Sequence, residues 1–203
     1  MLIQSTHNGV DGGADAYWTP YEATESLLKL ENFSGKIVWE PAAGDGAILR
    51  VLEEKGVSCY GSDLYDYGNP FIKSGLDYLK VNILGANAIV TNPPSKLALP
   101  FAQKAICEVP FVAFLLRTNW LESTTRLSFF RQHPPSRVWI SSRRLPMIHR
   151  LGWDGPEVPS NICHAWFVWD AGAAKETRLG WFDWSELTDP LVVEGVDPTE
   201  LDL

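Results

Sequence analysis

Residues Lys36–Lys55 read KIVWEPAAGDGAILRVLEEK, and this stretch decides the fold. Lys36 to Glu40 is a short apolar run of the buried-strand type, Glu40 to Gly46 is a turn containing two glycines, and Ala47 to Lys55 carries helical periodicity. A strand that passes through a tight turn into a helix opens a βαβ unit, which implies a mainly parallel sheet. The alternation repeats outward from here. Val57–Asp63, Ala88–Thr91, Phe111–Leu116, Arg137–Ser141 and His164–Asp170 read as strands, and Lys96–Glu108 and Glu122–Gln132 read as helices. Asn92, Pro93 and Pro94 close the Ala88–Thr91 strand, because proline has no donor for a sheet ladder. No internal repeat is present, so the expected class is α/β, doubly wound, with ligands beyond the carboxyl ends of the strands.

A chain of 203 residues that is 45% hydrophobic and 21% charged suffices for one buried core. The expected organisation is one globular domain over residues 1–182 and an acidic tail over 183–203. The first twenty residues are polar and glycine-rich, and no apolar run approaches the roughly 20 residues of a membrane span. Neither a signal peptide nor a membrane contact is expected, which points to the cytoplasm. Cys59, Cys107 and Cys163 have no paired spacing, so they read as small buried apolar residues with no metal to hold.

The net charge of −8 is concentrated at one end. Seven acids and no base lie from Asp183 to Leu203, so the other 182 residues carry only −1. Ser123 to Arg150 contains no acid, but it holds Arg126, Arg131, Arg137, Arg143, Arg144 and Arg150 with His133 and His149. Such a run is either a polyanion-facing surface or a solvated face. The acidic tail is expected to solubilise the chain or to fold over this arginine segment.

Three strand ends carry chemistry. In Glu40-Pro41-Ala42-Ala43-Gly44-Asp45-Gly46 the glycines let backbone pass close to a ligand, although an ordinary tight turn has the same composition. Leu49 stands where a dinucleotide fingerprint needs a third glycine, and Glu40 and Asp45 would repel a pyrophosphate while attracting a sulfonium or ammonium. Asp63 and Leu64 end the second strand, where an acid can accept both hydrogen bonds of a ribose diol. Asn92-Pro93-Pro94-Ser95 follows the next strand. An asparagine oxygen and a backbone carbonyl, held rigid by prolines, can accept both hydrogens of an exocyclic amine and aim its lone pair. His149 and His164 lack partners at diagnostic spacing and read as structural.

Over about Tyr17 to Asp170 the chain resembles the S-adenosylmethionine-dependent amino-group methyltransferases of adenine N6 and cytosine N4, in particular short phage and prophage types. Tyr17-Trp18-Thr19-Pro20 resembles the opening motif that contacts the cofactor's methionine part. Glu40 to Gly46 resembles the cofactor loop, Asp63 the ribose-binding acid, and Asp77-Tyr78 the pair beside the cofactor's adenine. Asn92 to Ser95 resembles the catalytic motif, with Asn92 also beside the cofactor. The resemblance implies a Rossmann-like class I methyltransferase fold with a seven-stranded sheet and an antiparallel edge hairpin. It also implies a nucleic-acid partner, DNA ahead of RNA, for which the charge run offers Arg126, Arg131, Arg143, Arg144 and Arg150 as the binding surface. A specificity partner or a homodimer is allowed for, since no separate recognition domain is evident.

Ser95 departs from the family, which has tyrosine or phenylalanine there to stack on the acceptor base. Three readings stay open: another ring (Trp120, Phe101 or Trp153) substitutes, the amine lies on no conventionally flipped base, or activity is weakened to cofactor or nucleic-acid binding. The motif order favours adenine N6 in DNA. RNA, cytosine N4 and protein glutamine are the alternative acceptors.

Overall fold

The computed structural model of the chain describes residues 18–82, 85–146, 162–174 and 176–186. In chain order these form α1 (Tyr21–Leu30), β1 (Ile37–Glu40), α2 (Ala47–Glu54), β2 (Ser58–Ser62), β3 (Ile72–Lys73) and β4 (Ala88–Thr91). They continue as α3 (Ala98–Glu108), β5 (Phe111–Arg117), α4 (Leu127–Gln132), β6 (Arg137–Ser141), β7 (His164–Asp170) and β8 (Arg178–Phe182). One sheet of eight strands runs in the order β3-β2-β1-β4-β5-β7-β6-β8. The ladders from β3 to β5 and the β6–β8 ladder are parallel, while β7 runs antiparallel to both β5 and β6.

Strand parity explains why β4, β5 and β7 are almost wholly apolar. Ala88, Val90, Phe111, Ala113, Leu115, Trp166 and Val168 face one cluster, covered by Ala23 and Leu27 of α1 and Ile48 and Leu52 of α2. Ile89, Val112, Phe114, Leu116, Phe167 and Trp169 face the other, covered by Phe101, Ala102 and Ala105 of α3 and by Phe129 of α4. Both faces of these strands are buried, so alternation gives way to continuous hydrophobic runs. The result is the doubly wound α/β class expected from the sequence.

Four details differ from the expectation. The sheet has eight strands because β8 pairs with β6, and the single antiparallel strand β7 lies inside the sheet between β5 and β6. Glu122–Gln132 is helical only over Leu127–Gln132; a 3-10 turn covers Thr118–Leu121, and the Arg126 side chain donates to the Trp120, Asn119 and Glu122 carbonyls. The last of these ties up the Glu122 carbonyl that a helix starting there would have used. Helix α1 is an element the sequence reading does not include; its buried face combines Leu27 with Ala23, Thr24 and Ser26. Cys107 is exposed at the end of α3, and Cys59 and Cys163 are half-buried.

Candidate active site

The parallel strands β1, β2 and β4 bring Glu40, Asp63 and Asn92 to one edge of the sheet, where a cavity of about 550 Å³ opens. Pro41, Ala42 and Gly44 from the first turn line it, as do Thr19, Leu64, Asp77 and Tyr78. Gly44 adopts φ +56°, and a Cβ there would stand 2.5 Å from the Trp18 ring, so the turn requires glycine. Gly46 and Pro20 act at helix starts instead: Gly46 (φ +91°) precedes α2, and the Pro20 carbonyl accepts from Ala23 N at 3.1 Å. Tyr17 lies outside the described residues.

Glu40 is 2% exposed and its Oε2 has no hydrogen-bond partner. Burial, and then the nearby charges of Asp63 and Asp45, push its carboxyl well above the ordinary value. Asp63 is committed on both oxygens, accepting from Gly44 N at 2.8 Å and Tyr65 N at 2.9 Å. It therefore braces the glycine turn against the strand end. Asp77 caps the following turn by accepting from Leu79 N, and it pairs with exposed Lys80, which holds its carboxyl below the ordinary range. Tyr78 is 2% exposed, donates to Glu108 at 3.0 Å and packs its ring on Phe101.

The rim contains rings the sequence reading did not single out. Tyr65 and Tyr67 line the cavity, and Tyr67 meets Trp18 edge-on at 5.4 Å. Their only sequence signal is the clustering of Leu64, Tyr65 and Tyr67 immediately after Asp63.

A second cavity, about 320 Å³, adjoins the first, and both are lined by Asn92. Pro93, Ser95, Arg117, Asn119, Trp120, Glu122, Arg126 and His164 also contribute to it. Pro94 turns toward the first cavity. Asn92 Nδ2 donates to Thr19 Oγ1 at 3.2 Å, which sets the orientation of the amide. Of the candidate replacement rings, Phe101 lines the first cavity, and Trp153 lies outside the described residues. Trp120 lines the second, yet it is packed edge-on against Phe130, Phe167 and Trp169, and Arg126 sits 5.3 Å over its ring.

Most of the arginine segment is engaged within the protein. Arg126 holds the turn before α4 and Arg137 binds Glu31 and Asp170; Arg143 pairs with Asp183, and Arg144 contacts Cys163. Arg131 is exposed in the last turn of α4. Arg150 and His149 lie outside the described residues. The first tail residues do reach this segment, since Trp184 Nε1 donates to the Arg144 carbonyl at 3.2 Å. Among the described residues no cluster of His, Cys, Asp and Glu is arranged to hold a metal, and no helix is long and apolar enough to cross a membrane.

No protein-family model matches the chain, and no curated protein matches it. Solved structures do. A protein from Listeria monocytogenes assigned as a class I S-adenosylmethionine-dependent methyltransferase superposes with a TM-score of 0.57 at 16% identity, over 90% of this chain and 70% of that one. The M protein of the type I restriction enzyme EcoKI gives 0.51 at 18%, over 78% of this chain and 44% of its own length. A Pyrococcus horikoshii protein assigned as an RNA methyltransferase gives 0.57 at 13%, over 83% and 98%. The chain thus spans less than half of the EcoKI subunit. At these identities the likeness concerns architecture, and the chain has the Rossmann-like fold of the class I methyltransferases.

Proposed function

We propose that this chain transfers a methyl group from S-adenosylmethionine to an exocyclic amino nitrogen of a nucleic-acid base, with adenine N6 in DNA as the leading acceptor. The observation that carries this reading is the meeting of two cavities at Asn92. One is large enough for a nucleoside with an amino-acid tail, and the other is smaller and open to an acceptor. The first fits the cofactor on two counts. Glu40 offers a buried, unsatisfied oxygen to a cation, and Leu64 offers an apolar surface to a nucleobase. S-adenosylmethionine supplies an electrophilic methyl group on a sulfonium. Glu40 gives up its proton as the cation binds and then balances positive charge, while Asp63 keeps the Gly44 turn in place through its backbone bond.

Asn92 and the Pro93 carbonyl take the two amine hydrogens, which localises the nitrogen lone pair. Thr19 fixes the Asn92 amide, so that its nitrogen donates away and its oxygen is the accepting end. The new nitrogen–carbon bond forms as the carbon–sulfur bond breaks, and the extra amine proton leaves to solvent. No strong base is required, because alignment lowers the barrier. The likeness to EcoKI M protein and to an assigned RNA methyltransferase supports a nucleic-acid acceptor.

The test is incubation of the protein with methyl-labelled cofactor and unmethylated DNA, followed by nucleoside analysis. Label is expected in N6-methyladenine, and Asn92→Ala is expected to lower turnover by roughly 10²–10³-fold. Label at cytosine N4, in RNA or on peptide glutamine would move the acceptor. Cofactor binding without transfer to any of them would leave only a binding module.

A further inference from the structure

The second cavity holds two polar side chains that the methyl-transfer chemistry leaves unused. Arg117 ends β5 and His164 begins β7, and the antiparallel register sets them directly opposite each other. Opposed residues share a face with their Cβ atoms about 5 Å apart, so the pair forms one recognition element at the sheet edge. His164 is 8% exposed, and its Nδ1 has no hydrogen-bond partner. Among the described residues, no hydrogen bond or ion pair engages the Arg117 side chain. A buried polar atom left without a partner is costly, and Nδ1 of His164 stands beside the half-buried Arg117 in the cavity that Asn92 and Ser95 also line.

We propose that Arg117 and His164 hold the acceptor by its hydrogen-bonding edge, recognising the unprotonated ring nitrogen beside the amino group that Asn92 and the Pro93 carbonyl hold, in place of stacking on the face of the ring. This rests on the methyl-transfer reading above. Ser95 cannot stack, and Trp120 is locked between other rings with Arg126 over it. Among the described residues, edge recognition is therefore the grip that the cavity offers. Arginine only donates, which suits the ring nitrogen lone pair beside the amine in adenine (N1) and cytosine (N3). Burial, together with the Arg117 charge and, less strongly, the Arg144 charge, outweighs a hydrogen bond to the Ile162 backbone and lowers the His164 imidazole to about 4. It is thus neutral at working pH and presents Nδ1 as a single donor or acceptor. Thymine carries an N–H at the corresponding ring position, where it would meet a donor.

The test uses the full-length protein with S-adenosylhomocysteine and a short labelled oligothymidylate whose central position is dA, dC, dT or abasic. Fluorescence anisotropy gives the affinity for each, and the readout is the ratio among them, which cancels the phosphate contribution. The wild type is expected to prefer dA or dC over dT and abasic by about tenfold or more. Whichever of dA and dC is preferred identifies the base. Arg117→Met and His164→Gln are expected to abolish the preference, whereas His164→Asn, which keeps a polar atom near the Nδ1 position, retains it. Equal preference in wild type and Arg117→Met, no preference in wild type, or identical behaviour of the Asn and Gln variants would overturn the proposal. Methyl transfer and calorimetric cofactor binding on the same proteins separate the two ideas. Base preference without transfer removes the enzymatic reading alone, and transfer without base preference removes the edge recognition alone.

Discussion

Glu40 is the residue at which the sequence pattern and the physics of burial meet most directly. Its raised carboxyl means that the folded chain holds a proton more tightly there than the unfolded chain does. The contribution to stability is therefore full below the ordinary carboxylate range and is lost as pH rises through the raised value. In the cofactor-free protein, Tm is expected to fall on going from mildly acidic to neutral pH, and Glu40→Gln is expected to flatten this slope. The same variant should weaken S-adenosylmethionine binding more than S-adenosylhomocysteine binding, because only the former carries the sulfonium charge. Thermal unfolding against pH and calorimetry with both ligands check this, and an unchanged slope would reject the assigned protonation. The sequence alone marks Glu40 as an acid in a glycine turn. The unsatisfied Oε2 appears only when β1, β2 and the turn close around it.

Between elements, α1 is joined to the antiparallel half of the sheet by the Trp166 Nε1 bond to the Ala23 carbonyl at 2.8 Å and by the Glu31 side chain. Glu31, just after α1, accepts from Arg137 at 2.6 and 2.8 Å and from Trp139 Nε1 at 2.7 Å, while Arg137 also donates to Asp170 at 2.8 Å. Glu31 and Arg137 are largely shielded from water, with side-chain exposures of 6% and 15%. Their bonds are correspondingly more valuable than those of surface pairs. Arg137→Ala is expected to lower stability by about 2 kcal/mol, measured by urea unfolding. Arg137 is thus a structural element of the arginine segment, a distinction that counting charges along the chain does not make. Helix α1 lies outside the sequence reading although it is amphipathic; its inner face mixes Leu27 with the small Ala23, Thr24 and Ser26.

For the whole molecule, charge and connectivity decide how the chain meets a polyanion. Removing residues 183–203 takes away seven acids and the Asp183–Arg143 pair at 3.0 Å. The shortened chain is expected to bind DNA more tightly at low salt, with the difference shrinking as salt rises. Equal affinities in anisotropy titrations would assign the tail no electrostatic role. A chain ending at Glu186 retains the Trp184 contact and separates packing from charge. The sequence by itself determined the doubly wound class, the ends of β4, β6 and β7, and the three strand-end motifs. These follow from local rules: hydrophobic period, glycine turns and proline stops act on neighbours in the chain. Only the tertiary structure decided that Asp63 spends its oxygens on Gly44 and Tyr65, that β8 extends the sheet, and that two cavities meet at Asn92. It likewise set Arg117 against His164, 47 positions apart in sequence, because strand register is fixed by long-range packing that no window of neighbouring residues contains.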